Sequence, residues 1–598
     1  MSEVMRIPCL IIVAFWISSD AVHAAPPSSQ QTAEALDISL WGAGLEHPLS
    51  HADDATYLRR IMFDIVGRPA TRGELTAFGL DPAEDRRATM VDALLSTDAY
   101  GENWSTYWRD VIFLRATNIR ANIVRPAFGT WMASQLNAGQ SWKMITTALL
   151  TASGPVNEHG ASALIFAHEG VAEEVSAEAS RIFLGIQIQC ANCHDHPWDS
   201  WKREQFHEFA AFFPRVSVRR DRNSDNMFEY EITSVNTDRD RNPFASRFLL
   251  TRADKNRDGF ISEAESKNTP LARVFKGPAK GVIDKNGDGK LAVAEIMTSQ
   301  PPDANQLGRG AAEHFMPDLQ DPGSQGKKID PAFFLTRVEE QSGMSDEQRR
   351  QKGAELLTAT GNPWFSRAIV NRVWSEMTGT AFYTPIDDIG PDRECTHEPT
   401  LELLADAFVA NDYDLKWLIR TIAATRTYQR APDNKAEGFA HCEPVRLRSD
   451  QLYAALCQTL GVESLPLRTS DGRRYPGGKQ PADPGREEFA RVFGFDPSTP
   501  RDELTGSIPE ALFMMNSQLL ARIMATPGES SVITQIATNV LGEDDIVREL
   551  YLNAIGREPT LGELSIAVAY LGESPNLRSG LEDLQWVLIN SPEFGSRR

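Results

Sequence analysis

Two acidic twelve-residue stretches, their starts thirty residues apart, constrain the backbone of this chain more than any other feature. They are Asp254-Lys255-Asn256-Arg257-Asp258-Gly259-Phe260-Ile261-Ser262-Glu263-Ala264-Glu265 and Asp284-Lys285-Asn286-Gly287-Asp288-Gly289-Lys290-Leu291-Ala292-Val293-Ala294-Glu295. Each has Asp, Asn, Asp, Gly and Glu at loop positions 1, 3, 5, 6 and 12, the pattern of an EF-hand loop. Calcium prefers several hard oxygens in a flexible ring. The side chains of Asp254, Asn256 and Asp258, and of Asp284, Asn286 and Asp288, supply three each. The backbone carbonyls of Phe260 and Lys290 add another, and Glu265 and Glu295 close the rings with both oxygens. Ser262 acts through water, whereas Ala292 has no side chain to offer. Ile261 and Leu291 stand where paired loops form a short β-bridge. The eighteen residues between the loops suffice for two short helices, so a compact pair is expected. Outside the cytoplasm calcium is ample, and the pair reads as a structural clip that stabilises by mass action.

The second constraint is Cys190-Ala191-Asn192-Cys193-His194-Asp195-His196-Pro197-Trp198. C-x-x-C-H is the spacing at which two thiols join haem vinyl groups and the following His binds iron. Three readings stand side by side. Cys190 and Cys193 anchor a c-type haem with His194 as proximal ligand. Alternatively Cys190, Cys193, His194 and His196 hold zinc or a non-haem iron, with hydrolytic chemistry in reach. Or the cysteines are a redox or structural thiol pair. The distal side of a haem has no assigned ligand, with Met227, Met316 and His207 as candidates.

The N-terminus reads as an export signal: Arg6, a short apolar run from Ile7 to Ile17, and Val22-His23-Ala24, with cleavage expected after Ala24. The run is too short for a comfortable membrane span, so the mature chain is expected to be periplasmic or otherwise exported and not integral to the membrane. Covalent haem attachment in bacteria also takes place outside the cytoplasm. The formal charge of −21 argues against a nucleic-acid partner, which needs a basic surface. Six cysteines are present. With Cys9 in the signal and two in the motif, Cys395, Cys442 and Cys457 allow one disulfide.

Apolar periodicity is helical through most of the rest. Residues 25–35 read as a polar linker. Tyr57, Leu58, Ile61, Met62 and Ile65 share a face that Gly67-Arg68-Pro69 ends, and Thr71 with Glu74 forms a capping box. Trp104, Trp108 and Phe113 read as core. Ala172 to Gln189 is expected to run as one helix into the cysteines, and Lys202 to Phe213 as another. Met227 to Val235 alternates like a strand. Residues 297–330 read as a Pro/Gly-rich linker. Helices resume at Ser345, continue through Ile369–Met377, Leu401–Val409, Leu415–Thr425, Leu512–Met524 and Ile546–Ile555, and end with Leu581–Ile589. Asp387, Asp388 and His397 are read as caps and loop hydrogen bonds, with an acid–base or metal site as the alternative.

Specific stretches resemble known families. Leu58-Arg59-Arg60-Ile61, Arg181-Ile182-Phe183-Leu184-Gly185 and Cys190 to Pro197 look like the planctomycete cytochrome-like domain family. Asn362-Pro363-Trp364-Phe365-Ser366-Arg367-Ala368-Ile369-Val370-Asn371-Arg372-Val373-Trp374, Pro385-Ile386-Asp387-Asp388, Thr427-Tyr428-Gln429 and Asn590-Ser591-Pro592-Glu593-Phe594 look like its companion planctomycete-type domain of unknown function. The resemblance implies an exported bacterial protein, often presumed to carry a c-type haem, with no established enzymatic activity. The expected fold is mainly α. A signal (1–24) precedes a cytochrome-like domain (35–215), a short strand with the EF-hand pair (216–300), a linker (301–344) and a C-terminal helical domain (345–598). Two functions are carried forward: an exported calcium-binding cytochrome-like protein serving a redox partner, and a non-haem metalloprotein or calcium-held scaffold.

Overall fold

The computed structural model describes residues 25–42, 50–221, 228–235, 253–267, 269, 271–272, 275, 288–292, 313–321, 323–336, 338–339, 344–433, 438–467, 483–525, 531–540 and 542–597. The expected signal (1–24), Met227, and the expected ligands Asp284, Asn286 and Glu295 lie outside them. The described chain is mainly α, with sheets of two or three strands. Among the described residues no helix is long and apolar enough to cross a membrane.

Local chemistry sets the helix ends. Residues 25–35 are not a linker throughout: Ser28 and Gln31 form a reciprocal capping box that starts a helix at Ser29–Trp41, and Leu36 buries that helix against the core. The polar residues of this helix give its stretch the composition of a linker. Asp54–Val66 ends at Gly67 in the left-handed region, and Thr71–Glu74 caps Arg72–Leu80 as expected. Trp104 and Trp108 are buried on Asp98–Phe113. The expected Leu512–Met524 helix is two, Ile508–Asn516 and Gln518–Ala525. The alternating stretch forms Tyr230–Ser234, the middle strand between Val216–Arg220 and Gly154–Pro155. Within 301–344 two short ribbons occur, His314–Met316 with Lys327–Ile329 and Ala332–Phe333 with Val338–Glu339.

The hydrophobic core crosses the sequence domains. One continuous cluster of buried side chains runs from Leu36 to Cys442, and a second gathers Leu447 to Phe594 around Phe63. Helix Ala172–Leu184 packs on Pro363–Thr378. It ends at Gly185 (φ +68°), where a Cβ would meet Ile389 Cδ1 at 2.6 Å. The Gly185 carbonyl accepts a 2.7 Å hydrogen bond from Ile389 N, so this turn is the joint between the two stretches.

Charged side chains lock the joint from inside. Arg181 donates to Asp387 Oδ2 at 2.6 Å and to Glu178, and Arg372 donates to Asp387 Oδ1. Arg181 and Arg372 each also reach Ser498 Oγ. All of these residues are buried. Arg597 pairs with Asp64 at 2.9 Å and donates to the Met377 carbonyl. Arg59 donates to the Phe594 carbonyl and Arg60 to the Tyr428 and Arg430 carbonyls. A buried charge is tolerated only when paired and hydrogen-bonded, and these groups come from both sides of the joint.

Candidate functional site: the C-x-x-C-H turn

Beyond Gly185 the chain does not continue as a helix to Gln189, because the left-handed residue ends it at Leu184. A 3-10 turn, Ile188–Asn192, follows, and Cys193 caps it. In 3-10 geometry residues three apart eclipse, so Cys190 and Cys193 stand on one side. Ile188 and Ala191 point inward and are buried, while both thiols are free and exposed. The apolar residues thus anchor the turn and leave the sulfurs to solvent.

His194 is also exposed. Its Nδ1 lies 2.6 Å from the Asp195 carbonyl. A carbonyl only accepts, so Nδ1 carries the proton and Nε2 holds the lone pair. That arrangement orients metal-binding histidines, because the bonded nitrogen fixes the tautomer and the other faces the metal. Asp195 is held in turn. Its Oδ1 accepts from Arg203 N at 3.0 Å and its Oδ2 from Lys202 Nζ at 3.0 Å. The Arg203 amide, then Lys202, keep its carboxyl below the usual range. The motif therefore fits a c-type haem in donor type and tautomer: two free thiols on one side and an imidazole with Nε2 unbonded.

His196 is placed differently. Its amide bonds the Trp201 carbonyl at 2.8 Å, and its Nδ1 accepts from Trp198 N at 3.4 Å. Among the described residues no three His, Cys, Asp or Glu side chains form a metal cluster, so Cys190, Cys193, His194 and His196 are not drawn into one. His207 has both nitrogens engaged, Nδ1 with His314 Nε2 at 2.8 Å and Nε2 with the Asn192 carbonyl at 3.2 Å. It has no free nitrogen with which to serve as the distal ligand. Met316 lies on the strand His314–Met316. Trp198 is 75% exposed.

The first acidic loop is described in full. Its turn is built from its own side chains: Asp258 N donates to Asn256 Oδ1, Gly259 N to Asp254 Oδ2 at 3.1 Å, and Phe260 N to Asp258 Oδ1 at 2.8 Å. Gly259 and Gly289 both have φ +82°. Ile261 pairs antiparallel with Leu291, and both are buried. Among the described residues, Asp254 Oδ1 is buried without a hydrogen-bond partner, an oxygen that a cation would satisfy. Glu265 Oε2 accepts from Ser262 N at 3.0 Å and Ser262 Oγ at 2.6 Å as a helix cap, and these bonds, with the Asn256 and Lys255 amides at the start of the loop, hold its carboxyl below the usual range. Of the second loop, residues 288–292 are described, and Lys290 N donates to Asp288 Oδ1 at 2.8 Å.

The remaining candidates are structural. Asp387 is buried between two arginines, Asp388 pairs with Arg393 at 3.1 Å, and His397 Nδ1 meets Thr400 Oγ1 at 3.0 Å. Cys395, Cys442 and Cys457 are free thiols, so the disulfide that the sequence allowed is not formed. Sequence reasoning missed Arg181 and Arg372 as partners of Asp387. The available signal was a lone arginine inside each apolar run, Ala179–Leu184 and Ile369–Trp374.

Residues 40–218 match the family described as protein of unknown function DUF1549 (PSCyt2), and residues 349–459 match the one described as protein of unknown function DUF1553 (PSD1). No curated protein and no solved structure matches the chain. The joint at Gly185 and Ile389, and the Arg181–Asp387–Arg372 contact, fall inside these two stretches and bring them together. The chain carries the two domains of the planctomycete pair, in that order.

Proposed function

We propose that this is an exported redox protein of the c-type cytochrome-like kind, with haem joined through Cys190 and Cys193 and His194 as the axial ligand. The observation that carries the reading is the state of these three side chains. Both thiols are exposed and free, and the His194 tautomer is set by the Asp195 carbonyl with Nε2 unbonded. Buried apolar neighbours hold the turn, so no packing role explains the thiols. When bound, the haem would supply a one-electron couple tuned by its axial ligand and surroundings. The chain's own part is to fix both sulfurs on one side, orient the imidazole, and present the group near the surface to a redox partner.

The acidic loops are read as calcium sites that clip the segment between the two domains. Asp254, Asn256, Asp258, the Phe260 carbonyl, Ser262 and Glu265 would hold one ion, and Asp284, Asn286, Asp288, the Lys290 carbonyl and Glu295 the other. Asp254 Oδ1, without a partner among the described residues, and the Ile261–Leu291 pairing support this. Export from the cytoplasm belongs to the same reading.

The test is expression with residues 1–24 in a host with a cytochrome c maturation system. A haem-stained band on a denaturing gel, lost in C190A/C193A, supports the reading. A correctly exported but colourless protein sinks it, and metal analysis of that sample then decides for zinc or iron. For calcium, the melting temperature of the full chain should rise with the ion and fall with chelator. That response should shrink in D254A/D258A; a melt indifferent to calcium removes the clip.

A further inference from the structure

We propose that His207 and His314 are positioning residues of the C-x-x-C-H turn: a bonded imidazole pair through which the segment between the two domains braces the Asn192 carbonyl. The inference rests on the reading that the Cys190 and Cys193 thiols are the reactive groups.

Asn192 lies between the two cysteines, and its carbonyl takes two donors, Arg203 Nε at 3.1 Å and His207 Nε2 at 3.2 Å. The carbonyl only accepts, so His207 Nε2 carries the proton and Nδ1 must accept. His314 Nε2 therefore donates across the 2.8 Å contact. The two rings stack at 5.1 Å with 27° between their planes, and both residues are buried. Burial keeps both imidazoles neutral by pushing each down to about 4, which preserves the single shared proton that the contact needs. Glu173 Oε1 lies 3.8 Å from His314 Nδ1 at the far end of this chain of groups.

The second donor reaches the same strand. Arg203 Nη2 donates to the Pro317 carbonyl at 2.6 Å, one residue beyond His314–Met316. Lys327, on the partner strand, pairs with Glu204. Both hydrogen bonds to Asn192 O are thus backed by residues 314–317, which lie outside both family stretches. A stretch that reads as linker in sequence completes the support of the motif.

The prediction concerns the approach of the two sulfurs, so it is read on haem-free, reduced full-length protein. The readout is the equilibrium between Cys190 and Cys193 thiols and glutathione disulfide, in which one protein disulfide forms and two glutathione thiols are released. H314F removes the donor to His207 and should lower the effective concentration of the two thiols at least threefold. H314Q keeps a nitrogen donor where His314 Nε2 stands and should stay within twofold of the parent. H207F/H314F should fall no further than H314F, because the two act as one chain of bonds. An effective concentration unchanged in H314F, in protein that still melts cooperatively, overturns the proposal. So does an equal fall in H314F and H314Q. Haem attachment is not needed for this measurement, so a colourless protein sinks the haem reading and leaves this inference standing or falling by itself.

Discussion

The Arg181–Asp387–Arg372 junction and the C-x-x-C-H turn are built from neighbouring family motifs, yet they handle polarity in opposite ways. At the junction Asp387 sits 1% exposed with an arginine on each oxygen, and Arg181 also bonds Glu178, Ser498 and the Val111 carbonyl. At the turn the thiols are exposed, and among the described residues neither they nor the His194 Nε2 has a bonding partner. Side chains that are fully engaged inside the protein maintain the fold. Side chains that the fold holds up but does not use are where chemistry can happen. The contrast separates the two motif sets more clearly than residue type does, since Asp387 and His194 would both pass as catalytic from sequence.

Breaking the junction should have the largest effect. D387A leaves two buried guanidinium groups facing each other, and removing one partner of a buried ion pair costs about 3–5 kcal/mol. Chemical denaturation of the full chain should show a loss of that size or failure to accumulate as folded protein. A D387A melt within ~1 kcal/mol of the parent would mean that the junction is not the lock described here. Next comes the joint beside it. G185A forces an L residue to φ +68° and pushes a methyl into Ile389 Cδ1. The left-handed cost and the overlap together predict a loss of ~3 kcal/mol.

Much of this architecture can be read in the chain and part of it cannot. Caps and stops are local, so Thr71 with Glu74, and Gly67 after its helix, appear where the sequence puts them. The Ser28–Gln31 box is just as local, but polar surroundings hid it. The early end of the Ala172–Leu184 helix was signalled by Gly185 and overridden by the apolar residues on either side. What periodicity cannot supply is partner choice across hundreds of residues. Nothing near Asp64 indicates Arg597, and nothing near Asp387 indicates Arg181. The thiols and His194 were legible as a motif. Their support by His314 was not, because it comes from a segment whose composition reads as linker.

Acid sharpens the contrast between buried and exposed histidines. His168 is 1% exposed, and burial lowers its pKa to about 4, below the ordinary 6.5. Its Nδ1 meets Thr117 Oγ1 at 3.3 Å, while its Nε2 is buried without a partner among the described residues. A base with a depressed folded pKa stays neutral in the fold but takes up a proton once unfolded. Its contribution is intact above pH 6.5, shrinks as pH falls, and is gone near pH 4. Stability should drop by ~3 kcal/mol over that window on its account. H168N, which keeps a donor near Thr117, should flatten the slope; an unchanged slope would assign the acid sensitivity elsewhere.

The smallest effect belongs at the turn. In haem-free protein C190A/C193A removes two exposed thiols that make no packing contact the fold depends on, and exposed changes of this kind stay within about 0.5 kcal/mol. D195A removes an ion pair whose partners are both more than half exposed, and such pairs are worth little. Its Arg203 amide contact is the only part with structural weight. Both variants should melt with the parent. A large loss in C190A/C193A would make the cysteines structural and erase the difference between the two regions. An unchanged melt together with lost haem staining would show that the turn is built to be used and the junction to hold it in place.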